Sequence, residues 1–294
     1  MIGVVPAVAA AVGFAVFQVI NARALARIDV YRGTRVLLAM ATVILATITL
    51  ATDGAGLWLE APPWALLMAA GAGMFHFFLG WTFLGTAQQR IGAARAGALV
   101  GTVPLFGSLL AWGVLGESIG PLQVAGLLLV VAGVVVIATG NRRGPAEPQL
   151  AVGIAAALGT ATCWSISPVL IREALEGIPS SRAAASVGLL TSAVLYSVLV
   201  ALARRGRERV AMETRTRQLL GTGGVLVAVS LWMQWTAFSL APVATVLVLL
   251  QLTPALVPLL ARIGAQAATV LSLPRLYLGV GAIVIGSLPV ILTG

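Results

Sequence analysis

The stretch TAQQRIGAARAGALVGTVPLFGSLLAWGVLGE, Thr86–Glu117, has a second copy 150 residues later, TAFSLAPVATVLVLLQLTPALVPLLARIGAQA, Thr236–Ala267. Without a gap, Thr86 falls on Thr236, Ala87 on Ala237, Ala94 on Ala244, Leu99 on Leu249 and Pro104 on Pro254, while Leu109, Leu110 and Ala111 fall on Leu259, Leu260 and Ala261. Alanine and leucine coincide easily by chance in an apolar chain, but a shared proline in mid-segment does not. The reading is a tandem duplication. It extends outward: Ala10, Ala11 and Gly13 overlay Ala156, Ala157 and Gly159 at a shift of 146, and Gly126 and Gly133 overlay Gly279 and Gly286 at a shift of 153. A drifting shift is what loops of unequal length produce between diverged repeats.

The chain around this repeat is 60% hydrophobic and 9% charged over 294 residues, with a mean hydropathy of +1.04. A soluble domain is about a quarter charged, so a water-soluble fold is excluded. Apolar runs of about 20 residues, each long enough to cross a hydrocarbon core of about 30 Å, recur along the sequence. The expectation is an all-α polytopic membrane protein with ten transmembrane helices. The first five spans are Val4–Ile20, Val36–Ala51, Trp64–Leu84, Ala93–Leu115 and Leu122–Thr139. The polar, proline-bearing stretch GNRRGPAEPQ, Gly140–Gln149, is the one clear linker; it separates a first repeat at 1–140 from a second at 150–294, with 141–149 between. The second repeat holds Leu150–Ile171, Ala184–Leu202, Leu219–Leu240, Val243–Ile263 and Leu276–Leu292. Five spans per copy is an odd number, so the second copy crosses the membrane inverted relative to the first, a plan that puts a transport site near the midplane where halves meet.

The net charge is +9, and every basic residue is Arg. These arginines sit in short loops and form no soluble basic face, which argues against a nucleic-acid partner and for the lipid bilayer. Sixteen fall on one side: Arg23, Arg27, Arg32, Arg35, Arg90, Arg95, Arg142, Arg143, Arg204, Arg205, Arg207, Arg209, Arg215, Arg217, Arg262 and Arg275. Only Arg172 and Arg182 fall on the other. The positive-inside rule then places both termini outside the cytoplasm of a bacterial cytoplasmic (inner) membrane. The loop 203–218 is a topology determinant that can also rest on anionic headgroups. Met1–Ile20 lacks a basic leader and reads as the first span. The single Cys163 offers no disulfide framework.

Pro104 and Pro254 fall in mid-span, where proline removes a backbone hydrogen bond and frees the carbonyls of Val100 and Leu250. Such groups are tolerated at membrane depth against protein or a wet cavity, so the two bends read either as hinges walling a substrate path or as structural kinks. Gly97 and Gly101 precede Pro104 at GxxxG spacing and read as close helix packing, as do Gly126, Gly133, Gly279 and Gly286. His76 in the third span is a proton-relay candidate or a neutral imidazole satisfied by a neighbouring helix. Arg95 can meet an anionic group or snorkel to the interface. Glu117, after Gly116, can cap the amides opening the next helix.

Phe14, Gln18 and Asn21 overlay Thr160, Trp164 and Ser167, each trio on one helix face. Gln234 and Gln251 add amides, and Trp81, Trp232 and Trp235 add rings that serve as cavity walls or interfacial anchors. Amides, hydroxyls and indoles with few charges suit a small neutral or zwitterionic solute, or else plain interhelical bonding. The candidate substrate residues are therefore Gln18, Asn21, His76, Trp81, Arg95, Trp164, Ser167, Gln234 and Gln251. Signatures of enzymes, nucleotide binding and metal clusters are absent from the sequence, so no enzyme, no cofactor and no metal are expected, and any pumping draws on gradients, with the proton as candidate coupling ion.

These features resemble the EamA-like family of the drug/metabolite transporter superfamily. The resemblance rests on TVPLFGSLLAWGVLGE at Thr102–Glu117 with its proline and terminal Gly116-Glu117, on WSISPVLIR at Trp164–Arg172, and on ten spans in two five-helix repeats. It implies a transporter that moves metabolites, often exporting amino acids or related solutes, by alternating access around a central cavity. The chain departs from the family pattern at Gln266 and Ala267, where Gly-Glu is expected, and at Gln18, where tryptophan is usual. Family members usually keep their termini in the cytoplasm, opposite to the arginine count. The alternative reading is a non-transporting membrane binding or accessory protein derived from a transporter.

Overall fold

The structure, a computed structural model, describes residues 2–25, 27–138, 147–202, 212–263 and 273–293. Its regular structure is helical throughout: α1 Val4–Leu25, α2 Val30–Asp53, the short α3 Gly56–Leu59, α4 Pro63–Gly73, a π-helical turn Met74–Leu79, α5 Gly80–Val100, α6 Val103–Leu115, α7 Pro121–Ala138, α8 Glu147–Gly177, α9 Ser181–Leu202, α10 Thr214–Leu240, α11 Val243–Leu250, α12 Leu252–Ile263 and α13 Leu273–Thr293. Six stretches are long and apolar enough to cross a membrane, in α1, α2, the α4–α5 run, α8, α9 and α10; four shorter apolar helices accompany them at Val103–Leu115, Pro121–Val136, Val243–Val257 and Tyr277–Leu292. The chain is a multi-pass membrane protein.

Local chemistry sets the helix ends. Asp29 caps α2 by accepting the Arg32 N–H at 3.0 Å, and Ser180 caps α9 by accepting the Ala183 N–H at 3.3 Å. Pro63 opens α4, where its missing N–H would have had no helical partner. Gly116 stops α6 in the left-handed region, φ 68°, a conformation that a Cβ would strain.

Contacts fix the direction of each helix. α1 runs against α10, with Gly3 beside Ala241 and Gly13 beside Ser230. α8 runs against the α4–α5 run, with Gly177 beside Pro62 and Ala65, Gly159 beside Phe83, and Gly153 beside Ile91. The chain then doubles back along α8, because Ser165 Oγ reaches the Val103 carbonyl at 3.4 Å. From Gly153 to Ser165 α8 advances by about 18 Å, so α5 is not one straight rod, and the reversal falls where the sequence separates the third and fourth spans. Arg27 pairs with Glu213 at 2.8 Å at one end of the bundle, the end that also carries Arg23, Arg32, Arg35 and Arg90. Arg182 pairs with Asp53 at 2.6 Å at the opposite end.

Helices from the first and second parts of the chain alternate in their packing. The first helix of each half packs on the third span of the other, as Gly13–Ser230 and Gly159–Phe83 show. Val103 and Thr253, equivalent at the shift of 150, both meet the opposite half's first helix: Val103 through Ser165, and Thr253 by donating to the Ala11 carbonyl at 3.1 Å. α7 and α13 pack antiparallel on each other with glycine facing backbone. A Cβ on Gly126 would lie 2.5 Å from the Gly286 carbonyl oxygen, and one on Gly133 would lie 2.7 Å from that of Gly279. These four glycines serve helix packing, in line with their small-residue spacing. The linker residues up to 146, the loop 203–211, and Gln266 and Ala267 lie outside the described residues; α8 itself begins at Glu147, within the expected linker.

Candidate functional site

Both proline-bearing spans are divided rather than merely bent. In the first half the helix ends at Val100, Gly101 and Thr102 form the break, and Pro104 sits in the first turn of α6. In the second, α11 ends at Leu250, Gln251 forms the break, and Pro254 sits in the first turn of α12. A proline in a first turn forfeits no helical bond of its own, so the interruption falls on the residues just before it. The two breaks fall 150 residues apart in the chain.

A cavity of about 560 Å³ lies against these breaks, a volume suited to a small solute. Gly97, Val100, Gly101 and Val103 line it from the first break, and Leu250, Gln251, Thr253 and Pro254 from the second. Gly97 and Gly101, expected to serve packing, form bare backbone wall here. Phe14, Gln18 and Asn21 of α1 line it together, as their spacing requires. α7 contributes Val134, and no described residue of α13 takes part.

Of the sequence-derived substrate residues, Gln18, Asn21, His76, Trp81, Trp164, Gln234 and Gln251 border this cavity, as does Pro254. Ser167 does not. It is fully buried between helices and donates to the Ala72 carbonyl at 3.3 Å, while Thr160 on the same face donates to Gly80 at 3.4 Å. That face of α8 is the seam with the α4–α5 run, and only the long Trp164 reaches past it. Pro104 is buried and stands off the cavity wall. Arg95 lies on α5, with its side chain outside the described residues. Trp235 is core, 2% exposed, and Trp232 lies under the Arg182 guanidinium, 5.1 Å from ring centroid to cation.

The π-helical turn explains the placement of His76. A π turn shifts the backbone register and leaves a carbonyl without its usual helical partner. The His76 carbonyl accepts the Trp164 indole N–H at 2.8 Å, and the His76 ring stacks on Trp164, centroids 5.4 Å apart and planes at 17°. Gly80 makes room for this, since a Cβ there would collide with the Trp164 Nε1. Phe17 stacks on Trp81 at 6.1 Å and 12°, and Trp81 meets Phe77 edge-on at 5.2 Å. Sequence reading missed the π turn, because nothing in MFHFFL distinguishes it from ordinary helix, and it missed Tyr31, Thr34, Gln88, Gln89 and Tyr196 on the wall. The Tyr196 and Thr82 hydroxyls lie 3.2 Å apart.

The cavity is exposed toward one end. Its solvent-accessible lining residues Gln18, Gln88 and Gln89 lie toward the arginine-rich end. The opposite end is interlocked. Asp53 accepts from Arg182 at 2.6 Å and from Ser180 at 2.9 Å, Ser181 and Thr236 share a hydrogen bond at 2.7 Å, and Arg172 donates to the Phe238 carbonyl at 2.7 Å. Glu117 binds there too, though not to the helix that follows it. Both its oxygens accept the Val243 N–H that opens α11, at 2.9 and 3.0 Å, and the start of α7 is served by Gln123, whose Oε1 accepts the Gly120 N–H at 2.7 Å. Gly116 turns the chain so that the carboxylate points across to the other half instead of along to α7.

Among curated proteins none matches the sequence. A solved crystal structure described only as "Crystal structure of protein" is similar in fold, with a TM-score of 0.81 and 22% identity, over 99% of this chain and 96% of that one. The model of the EamA-like transporter family matches residues 1–139, the half that carries the Pro104 break and the Gly116-Glu117 corner. Over those residues the chain is similar to the EamA-like transporter family, which belongs to the drug/metabolite transporter superfamily.

Proposed function

We propose that the protein is a secondary-active transporter, working as an exporter, of a small neutral or zwitterionic metabolite such as an amino acid or a related compound. Two five-helix repeats, 1–140 and 150–294, joined at 141–149, would be inverted relative to each other and rock about the shared cavity. The observation that carries the reading is that one cavity of about 560 Å³ takes its walls from the broken helices of both halves, at positions 150 residues apart in sequence. Support also comes from its exposure toward one end while the other is interlocked, which is one of the two states that alternating access requires.

The breaks at Gly101–Thr102 and Gln251, each followed by its proline, are the hinges of this reading. With the arginine-rich end cytoplasmic, the described state faces inward and both termini lie outside the inner membrane. No described residue among Asp, Glu, Lys and Arg lines the cavity, which favours solutes without net charge. His76, the chain's one histidine, is the place where a proton would couple.

Reconstitution into proteoliposomes with labelled amino acids and amines, under an imposed proton gradient, tests the reading. Saturable accumulation of at least one solute above empty vesicles is expected. Uptake equal to empty vesicles for every solute would reject it.

A further inference from the structure

The closed end of the cavity holds a polar group that the fold leaves unused. Gln234 on α10 is 4% exposed, and its carboxamide oxygen is buried without a hydrogen-bond partner among the described residues. It nonetheless borders the cavity. Its depth follows from the pairing of α10 with α1: Ser230 lies beside Gly13 and Ala241 beside Gly3, so Gln234 sits on the closed side of Phe14. A buried acceptor with no partner bears the full cost of losing water, and folded proteins seldom leave one. An unused carboxamide oxygen on the closed side of a cavity wall is placed for a donor that enters.

Toward the mouth from Gln234 the wall carries a group of rings beside its amides and hydroxyls. Phe17 and Trp81 are nearly parallel, Trp81 and Phe77 meet edge to face, and His76 lies flat on Trp164. Rings arranged this way offer faces and edges to another ring. A carboxylate or ammonium entering would shed its water and meet no opposite charge among the described lining residues.

We propose that the Gln234 carboxamide is the polar anchor of the solute site, and that the solute it selects is an uncharged molecule carrying a flat ring and, beside it, a hydrogen-bond donor. The proposal rests on the transport reading and narrows its substrate class from neutral or zwitterionic to uncharged. A ring-bearing cation held by ring faces alone is the competing chemistry, and the experiment separates the two.

Binding of four labelled probes to the full chain in detergent, by equilibrium dialysis, tests this: benzamide, cyclohexanecarboxamide, benzoate and benzylammonium. Benzamide is expected to bind at least about tenfold more tightly than each of the others. Gln234→Met is expected to weaken benzamide about tenfold while leaving the unliganded melting temperature unchanged or raised, because it removes an unpaired buried acceptor. Trp81→Leu is expected to abolish the preference for benzamide over cyclohexanecarboxamide. The proposal is overturned by benzoate or benzylammonium binding as tightly as benzamide, by no benzamide binding, by a folded Gln234→Met of unchanged affinity, or by a Trp81→Leu that keeps the full ring preference. Benzamide bound in this Gln234-dependent way but never carried into vesicles would defeat transport and leave the anchor standing. Carriage indifferent to Gln234→Met would do the reverse.

Discussion

The Glu117 carboxylate accepts the Val243 N–H through both oxygens, at 2.9 and 3.0 Å, across 126 residues of chain. One half of the molecule thereby caps a helix of the other. The Gly116-Glu117 pair acquires a physical meaning from this: a left-handed corner that aims a carboxylate, and a helix N-terminus that receives it.

Replacing Glu117 by Ala leaves the first amides of α11 without that acceptor. A loss of about 1 kcal/mol is expected, with Glu117→Gln retaining part of it, since the amide oxygen still accepts but lacks charge. Thermal unfolding in detergent measures it. A melting temperature unchanged in both variants would show that the cap contributes nothing.

Trp164→Phe keeps most of the ring and deletes the N–H that serves the His76 carbonyl. A destabilisation of about 1–3 kcal/mol is expected from the unpaired buried acceptor. Gly80→Ala, which drives a methyl into the indole, is expected to cost a similar amount, and the two together less than their sum because they strike the same contact. Full additivity in chemical denaturation would contradict the shared origin.

Gly126→Ala places a Cβ 2.5 Å from the Gly286 carbonyl oxygen, a backbone atom that cannot swing away. The α7–α13 pair must part, at a cost of about 1–3 kcal/mol. Because α7 gives the cavity only Val134 and α13 gives it no described residue, the affinity for solute in the surviving folded fraction is expected to be unchanged. Binding lost in parallel with stability would place these helices in the site.

Asp53→Asn removes the charge that holds Arg182 at the interlocked end, with both side chains about a fifth exposed. The stability change is expected to be small, on the order of 1 kcal/mol or less after solvent screening. The conformational change is expected to be larger in effect, since weakening contacts made in one state shifts the population to the other. A cysteine introduced at Thr236 should then label faster from that end; an unaltered labelling rate would show that the pair does not latch it.

His76→Gln keeps a polar side chain on the cavity wall and removes proton exchange. Accumulation driven by a proton gradient is expected to be lost while solute exchange across the membrane persists. Full proton-driven accumulation in this variant would remove His76 from coupling.

Much of this was legible in the sequence because its cause is local or periodic. Apolar runs of membrane length and a proline shared across 150 residues pointed to interruptions at Pro104 and Pro254, which the structure places just before them, at Gly101–Thr102 and Gln251, and spacings of four and three put Phe14, Gln18 and Asn21 on one helix face. What stayed hidden depends on partners distant in the chain. Ser167 reads as a site residue in sequence because only the fold buries that face of α8 against α4, and Glu117 reads as a cap for α7 because sequence proximity favours the next helix over one 126 residues away. The π turn and the tyrosines of α2 and α9 left no periodic trace.

Alternating access to the shared cavity is read by site-directed labelling. Cys163 is the chain's only cysteine, so Cys163→Ala provides a background for Gln18→Cys at the cavity wall. With a membrane-impermeant thiol reagent applied to sealed vesicles of each orientation, Gln18→Cys is expected to react from the arginine-rich side at rest and from the opposite side when a solute gradient drives turnover. Labelling from the arginine-rich side alone under every condition, with the opposite side never gaining access, would contradict alternating access.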